Sequence, residues 1–156
     1  ISLFSVQSVL CFTDDAAASQ RQFYFSSQIL PDHVAYPVFM MADRVRLAAA
    51  PPGKRSQLQL DYAWRRLETS QQLLAKNKPD LALNTLTKSQ HYFLKTLAEA
   101  EKLNLSSAVG QRAKAQLIAD SAHYLAEFET VSAQFENPQR RDVVDKLLQA
   151  VKNSSF

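Results

Sequence analysis

Apolar residues recur every three or four positions through most of this chain, the spacing of helices that bury one face. The clearest run is Ala113, Leu117, Ser121, Tyr124, Phe128, Val131 and Phe135. A second stripe reads Leu83, Leu86, Gln90, Phe93, Leu97 and Ala100. Leu60, Trp64, Leu67, Gln71 and Leu74 form a bundle seam with one polar interruption. Val144, Leu147, Leu148 and Val151 give the last helix one apolar face, and Phe39, Met40, Val45 and Leu47 are the buried candidates of an early one. Strand-like alternation is not evident anywhere.

Punctuation divides this pattern. Thr13, Asp14 and Asp15 suit the start of a helix, which is expected over Asp14–Gln28. Pro37 suits the first turn of the next, ending near Ala50, where Pro51, Pro52 and Gly53 stop it. A long helix follows over Lys54–Asn77. Lys78-Pro79-Asp80 makes a tight turn into a fourth helix, and Asn104 to Ser107 closes that one and caps a fifth. Asn137-Pro138 then supplies a cap and a first-turn proline for the sixth. The expected fold is all-α: one domain over residues 1–156, an antiparallel bundle of five to six helices with a proline-stiffened N-terminal strap.

The strap raises a functional question. Pro31 pushes Leu30 toward extended backbone, and Pro37 does the same to Tyr36. Tyr36 therefore occupies a position where a helix prefers Ser, Asp or Asn. Either its ring packs on the bundle with the hydroxyl on a backbone partner, or it anchors a protein partner.

Composition narrows the field. Hydrophobic residues make up 46% and charged ones 21%, values of an ordinary globular chain. Gly53 and Gly110 are the only glycines, so no Gly-rich phosphate loop exists. The net charge is +3 and the pI about 9.1. Cations such as Lys54, Arg55, Arg65 and Arg66 share one expected helix with Asp61 and Glu68, a dilution that argues against a nucleic-acid partner. The single cysteine, Cys11, rules out an internal disulfide and a multi-cysteine metal site. The first twelve residues, ISLFSVQSVLCF, are too short for a spanning helix of about 20 apolar residues. They suit the end of a leader, a core-filling segment or a pairing edge.

Candidate chemistry is sparse. Asp120, His123 and Glu127 fall along one helical face and carry donors suited to divalent metals. A closed site needs more ligands, and His33 and His91 lie elsewhere, so a solvated stripe with local charge pairing is expected, opposite Leu117 and Phe128. A small ligand- or metal-binding sensor is the alternative this triplet keeps open. Arg65 and Arg66 follow Trp64 and read as the solvated flank of a seam residue. Nothing in the spacing unites an acid, a base and a nucleophile. No enzyme activity, cofactor or resident metal is expected.

LPDHVAYP, the following DRVRL, the proline break and AWRRLETSQQLLAKNKPDLALNTLTKSQHYFLKTL together resemble a bacterial helical family called domain of unknown function 5667. Pro31, Tyr36 and Pro37 match its first element, Arg46 and Leu47 its second, and Ala63, Arg66 and Leu67 its third. The likeness covers about Leu30 to Leu103 and leaves residues 104–156 as additional C-terminal helices. It implies an exported bacterial protein with a leader or membrane anchor ahead of the domain, and no established activity. Phe39 and Met40 stand where polar or basic residues are common in the family, which makes the second helix greasier. The expected function is a non-enzymatic extracytoplasmic module, structural or protein-binding, engaging a cell-envelope partner through Tyr36, Phe39 and Arg44.

Overall fold

The computed structural model describes Pro31, residues 36–102 and residues 108–154. Five helices account for nearly all of them: α1 (Tyr36–Ala49), α2 (Pro52–Ala75), α3 (Pro79–Ala100), α4 (Ala108–Ala133) and α5 (Pro138–Ser154). No strand occurs among the described residues. The helix expected over Asp14–Gln28, together with Cys11, His33 and most of the strap, lies outside them. So does the proposed cap at Asn104–Ser107.

The helix boundaries follow the proline and asparagine signals. α2 and α3 each carry proline in the first turn, where the absent N–H would have had no helical partner. α2 closes with Asn77 in the left-handed region at φ 55°. The Lys78 N–H then reaches back to the Leu73 carbonyl at 2.9 Å, and that of Asn77 to Leu74 at 2.9 Å. Asparagine tolerates this conformation better than most residues, so the turn satisfies carbonyls that the helix end leaves open. Asn137 caps α5 as expected: its Oδ1 accepts from the N–H groups of Gln139 at 3.0 Å and Arg140 at 3.2 Å.

α2 and α3 form the spine, and small residues set their contact. Ser56, Ala63 and Ser70 recur every seven residues on α2, and Ala82, Ser89 and Thr96 do the same on α3; all six are buried. They pair in antiparallel order. Ser70 Oγ donates to the Ala82 carbonyl at 2.9 Å and Ser89 Oγ to Ala63 at 2.6 Å, while Thr96 Oγ1 donates to the Tyr92 carbonyl of its own helix at 3.0 Å and lies 3.5 Å from that of Ser56. A hydroxyl on a one-carbon stem can meet the neighbouring backbone only if the helices approach closely. The small side chains therefore both permit the approach and bond across it. The expected seam shifts accordingly: Leu60 and Leu67 are buried, Trp64 and Leu74 are half-buried, and Gln71 is exposed.

Larger side chains flank this layer. Leu86, Gln90, Phe93, Leu97 and Ala100 of α3 are buried as expected, with Leu83 half-buried. From α4, Leu117, Ser121, Tyr124, Phe128 and Val131 face inward, followed by Phe135 in the connection to α5. Tyr124 stacks on Phe93 with centroids 4.2 Å apart and planes 11° from parallel. Its hydroxyl lies 2.8 Å from Ser89 Oγ. The Ser89 proton already points to Ala63, so the tyrosine donates. α5 adds Val144 and Val151, with Leu147 and Leu148 half-buried. Gln90 Nε2 donates to the Leu147 carbonyl at 3.3 Å, and Arg140 pairs with Asp80 at 2.8 Å, so α5 runs alongside α3 in the same direction.

α1 breaks the pattern. Phe39, Met40, Val45 and Leu47 were expected inside, yet no residue of α1 is buried. Val45 is 67% exposed, and Val38 and Met41 are 68% and 66%. The reason lies in what attaches the helix.

Candidate functional site at the junction of α1, α2 and α3

α1 is held by a charged and aromatic cluster rather than by an apolar face. Asp43 stands at its centre, its carboxylate 3.8 Å from Arg65 Nη1 and 3.7 Å from Arg66 Nη2. The Tyr62 hydroxyl donates to the Asp43 carbonyl at 3.1 Å. Arg66 also donates to the Tyr62 carbonyl at 3.1 Å and toward Met40 Sδ at 3.1 Å. Its guanidinium lies 4.3 Å from the Tyr92 ring centroid, and that of Arg65 lies 4.7 Å from Tyr62. The two tyrosine rings meet edge to face at 5.6 Å.

This arrangement overturns the reading of Arg65 and Arg66 as a solvated flank. Arg66 is only 5% exposed and Arg65 is half-buried. A signal for it existed in the chain. Gln59, Arg66 and Leu73 lie seven residues apart, one helical stripe, and all three are buried. A buried guanidinium needs acceptors and rings around its planar donor fork; this cluster supplies them to both Nη groups and leaves the buried Nε without a hydrogen-bond partner among the described residues.

Burial shapes the tyrosines as well. It pushes the Tyr62 hydroxyl up to about 12; the Asp43 charge adds to the rise and Arg65 opposes it. The Tyr36 phenol is also raised, by burial first, with Arg66 pulling it down and Asp43 and Tyr92 pushing it up. Tyr36 is half-buried and within electrostatic reach of the clamp, which suits the packing role considered for it. Phe39 is half-buried too, whereas Arg44 is exposed.

Arg44 lines a groove of about 680 Å³ between α1, α2 and α3. Arg55, Lys88, His91 and Lys95 share that lining, with Tyr92, Gln59 and the apolar Leu47, Ala48 and Ala98. Glu99 is the one carboxylate of the lining among the described residues, and its Oε1 lies 3.2 Å from Lys102 Nζ. Arg55 Nη2 donates to the Ala50 carbonyl at 3.2 Å, which pins the guanidinium across the corner between α1 and α2. Among the described residues, Arg55 Nε and Gln59 Oε1 at this groove are buried without a hydrogen-bond partner. Gln59 itself is 5% exposed.

The α4 triplet behaves differently. His123 is exposed and leans on Trp64 at 4.9 Å between ring centroids. Asp120 and Glu127 are half-buried flank residues rather than members of the face opposite Leu117 and Phe128. Gln116 Nε2 donates to Asp120 Oδ1 at 3.3 Å. Among the described residues no group of three His, Cys, Asp or Glu side chains is placed to hold a metal ion. Nor is any described helix long and apolar enough to cross a membrane.

The profile of Domain of unknown function (DUF5667) matches residues 28–154. The chain belongs to that family. The match runs well beyond Leu103, through α4 and α5, so these helices are part of the family's domain rather than additions to it. No curated protein and no solved structure shows significant similarity to the chain.

Proposed function

We propose that this DUF5667 domain is a non-enzymatic interaction module that works outside the cytoplasm and presents α1 to a protein partner. The observation that carries the reading is the outward face of α1. Val38, Met41 and Val45 lie three and four residues apart, each about two-thirds exposed, while the opposite side of the helix is engaged by Asp43. Apolar side chains aligned on a helix that is tied down elsewhere make a surface for a partner to cover. Tyr36 and Phe39 brace that helix from its half-buried side, and Arg44 sits at its edge toward the groove. The extracytoplasmic placement rests on the resemblance described above, and a single cysteine is compatible with it.

The test replaces Val38, Met41 and Val45 together with Asp, Glu and Asp. These side chains are exposed, so the thermal midpoint should hold while retention of envelope proteins on the immobilised domain is lost. Equal retention by both forms would remove α1 as the contact surface. Location is read separately, by fusing the full reading frame to a phosphatase that is active only after export.

A further inference from the structure

The groove beside Arg44 carries features that α1 packing does not use. Among the described residues its lining holds Arg44, Arg55, Lys88 and Lys95 against Glu99, which already has Lys102 beside it. Such a concentration of one sign in a concave, partly apolar site favours an anionic occupant. At the groove, Gln59 is 5% exposed and its Oε1 lacks a hydrogen-bond partner. Leaving a buried acceptor open is unfavourable unless something supplies a donor.

We infer that this groove binds an extended acidic segment of a partner protein, with carboxylates on Arg44, Lys88 and Lys95 and a backbone N–H on Gln59 Oε1. An extended peptide offers both requirements at once, because its main-chain donors are free and its side chains alternate. Leu47, Ala48 and Ala98 then face the apolar side chains of that segment. The phosphodiester groups of a nucleic acid offer only acceptor oxygens and could reach Gln59 Oε1 only through a base or a 2′-hydroxyl, whereas every residue of an extended peptide brings a main-chain N–H, so the open acceptor favours a peptide. This inference rests on the reading of the domain as an interaction module and names the chemistry of what it holds.

The probe is a fluorescein-labelled peptide of about ten residues alternating Glu and Leu, roughly 33 Å when extended. Its controls are the same peptide with Gln for Glu and a labelled single-stranded oligonucleotide of similar length. The acidic peptide should bind at least about tenfold more tightly than the Gln peptide, and K88E/K95E should erase that difference. Both lysines are exposed, so the double variant should keep its fold, checked by circular dichroism. Gln59→Leu should weaken the acidic peptide about threefold or more without lowering the thermal midpoint. Equal binding of the two peptides, or indifference to K88E/K95E, overturns the inference. So does an oligonucleotide bound more tightly with the same lysine dependence. Such a failure alongside intact, α1-dependent retention of envelope proteins would end the groove assignment and leave the module standing.

Discussion

The α2–α3 seam and the α1 clamp join helices by opposite means. In the seam, small residues at heptad spacing bring two backbones together, and the Ser70 and Ser89 hydroxyls donate across them, with Phe93, Tyr124 and Phe128 buried in the same core. In the clamp, one carboxylate holds two guanidinium groups over tyrosine rings, and the attached helix buries no residue. Dry packing gains from every apolar atom removed from water and responds weakly to salt. An ionic clamp depends on the partnering of a few charges, and its partly exposed members are screened. The contrast predicts a spine that sets global stability and an arm whose docking opens without unfolding it.

The largest effect is expected at the spine. Phe93→Ala removes a fully buried ring stacked on Tyr124 and should cost about 3–5 kcal/mol. Denaturant unfolding should show this loss in one transition, with amide protection falling in α2, α3 and α4 together. Next comes the clamp. Asp43→Ala leaves Arg66 buried without its carboxylate and should cost about 2 kcal/mol, less than a fully enclosed pair because Asp43 is partly exposed. Hydrogen exchange should then quicken in α1 and stay slow in the seam; equal acceleration in both would merge the two regions. Ser89→Ala deletes the donor to the Ala63 carbonyl and the acceptor for Tyr124, a change of about 1–2 kcal/mol seen as a lowered urea midpoint.

Alkaline pH loads both regions through their tyrosines. Burial raises Tyr62 to about 12 and raises Tyr124 above the ordinary phenol range as well. Above about pH 10 the unfolded chain releases these protons while the folded chain keeps them. The unfolded state then binds fewer protons, so stability falls as pH rises, by at most about 1.4 kcal/mol per pH unit for each tyrosine. Below pH 10 that contribution is fully present. Tyr62→Phe should flatten its share of the fall between about pH 10 and 12, measured by urea unfolding at stepped pH. An unchanged slope would show that Tyr62 does not keep its proton at the clamp.

Periodicity and punctuation together determined the helices, because both are local. Pro52, Pro79, Pro138 and Asn137 act locally at the helix starts, and the stripe from Leu117 to Val131 reflects the turn of a single helix. The family resemblance was legible for the same reason, in short motifs such as Tyr36-Pro37 and Ala63 with Arg66 and Leu67. Only the tertiary structure decided what Asp43, Arg66 and Gln59 do. A charged or amide side chain has no intrinsic address: Arg66 is inside because Asp43, Met40 and Tyr92 arrive from two other helices to engage its Nη groups and cover its plane. For Gln59 the surrounding helices provide burial but no donor for its Oε1. Apolar spacing reports which face of a helix turns inward, whereas the pairing of a buried polar group depends on residues dozens of positions away, and that information exists only once the chain has folded.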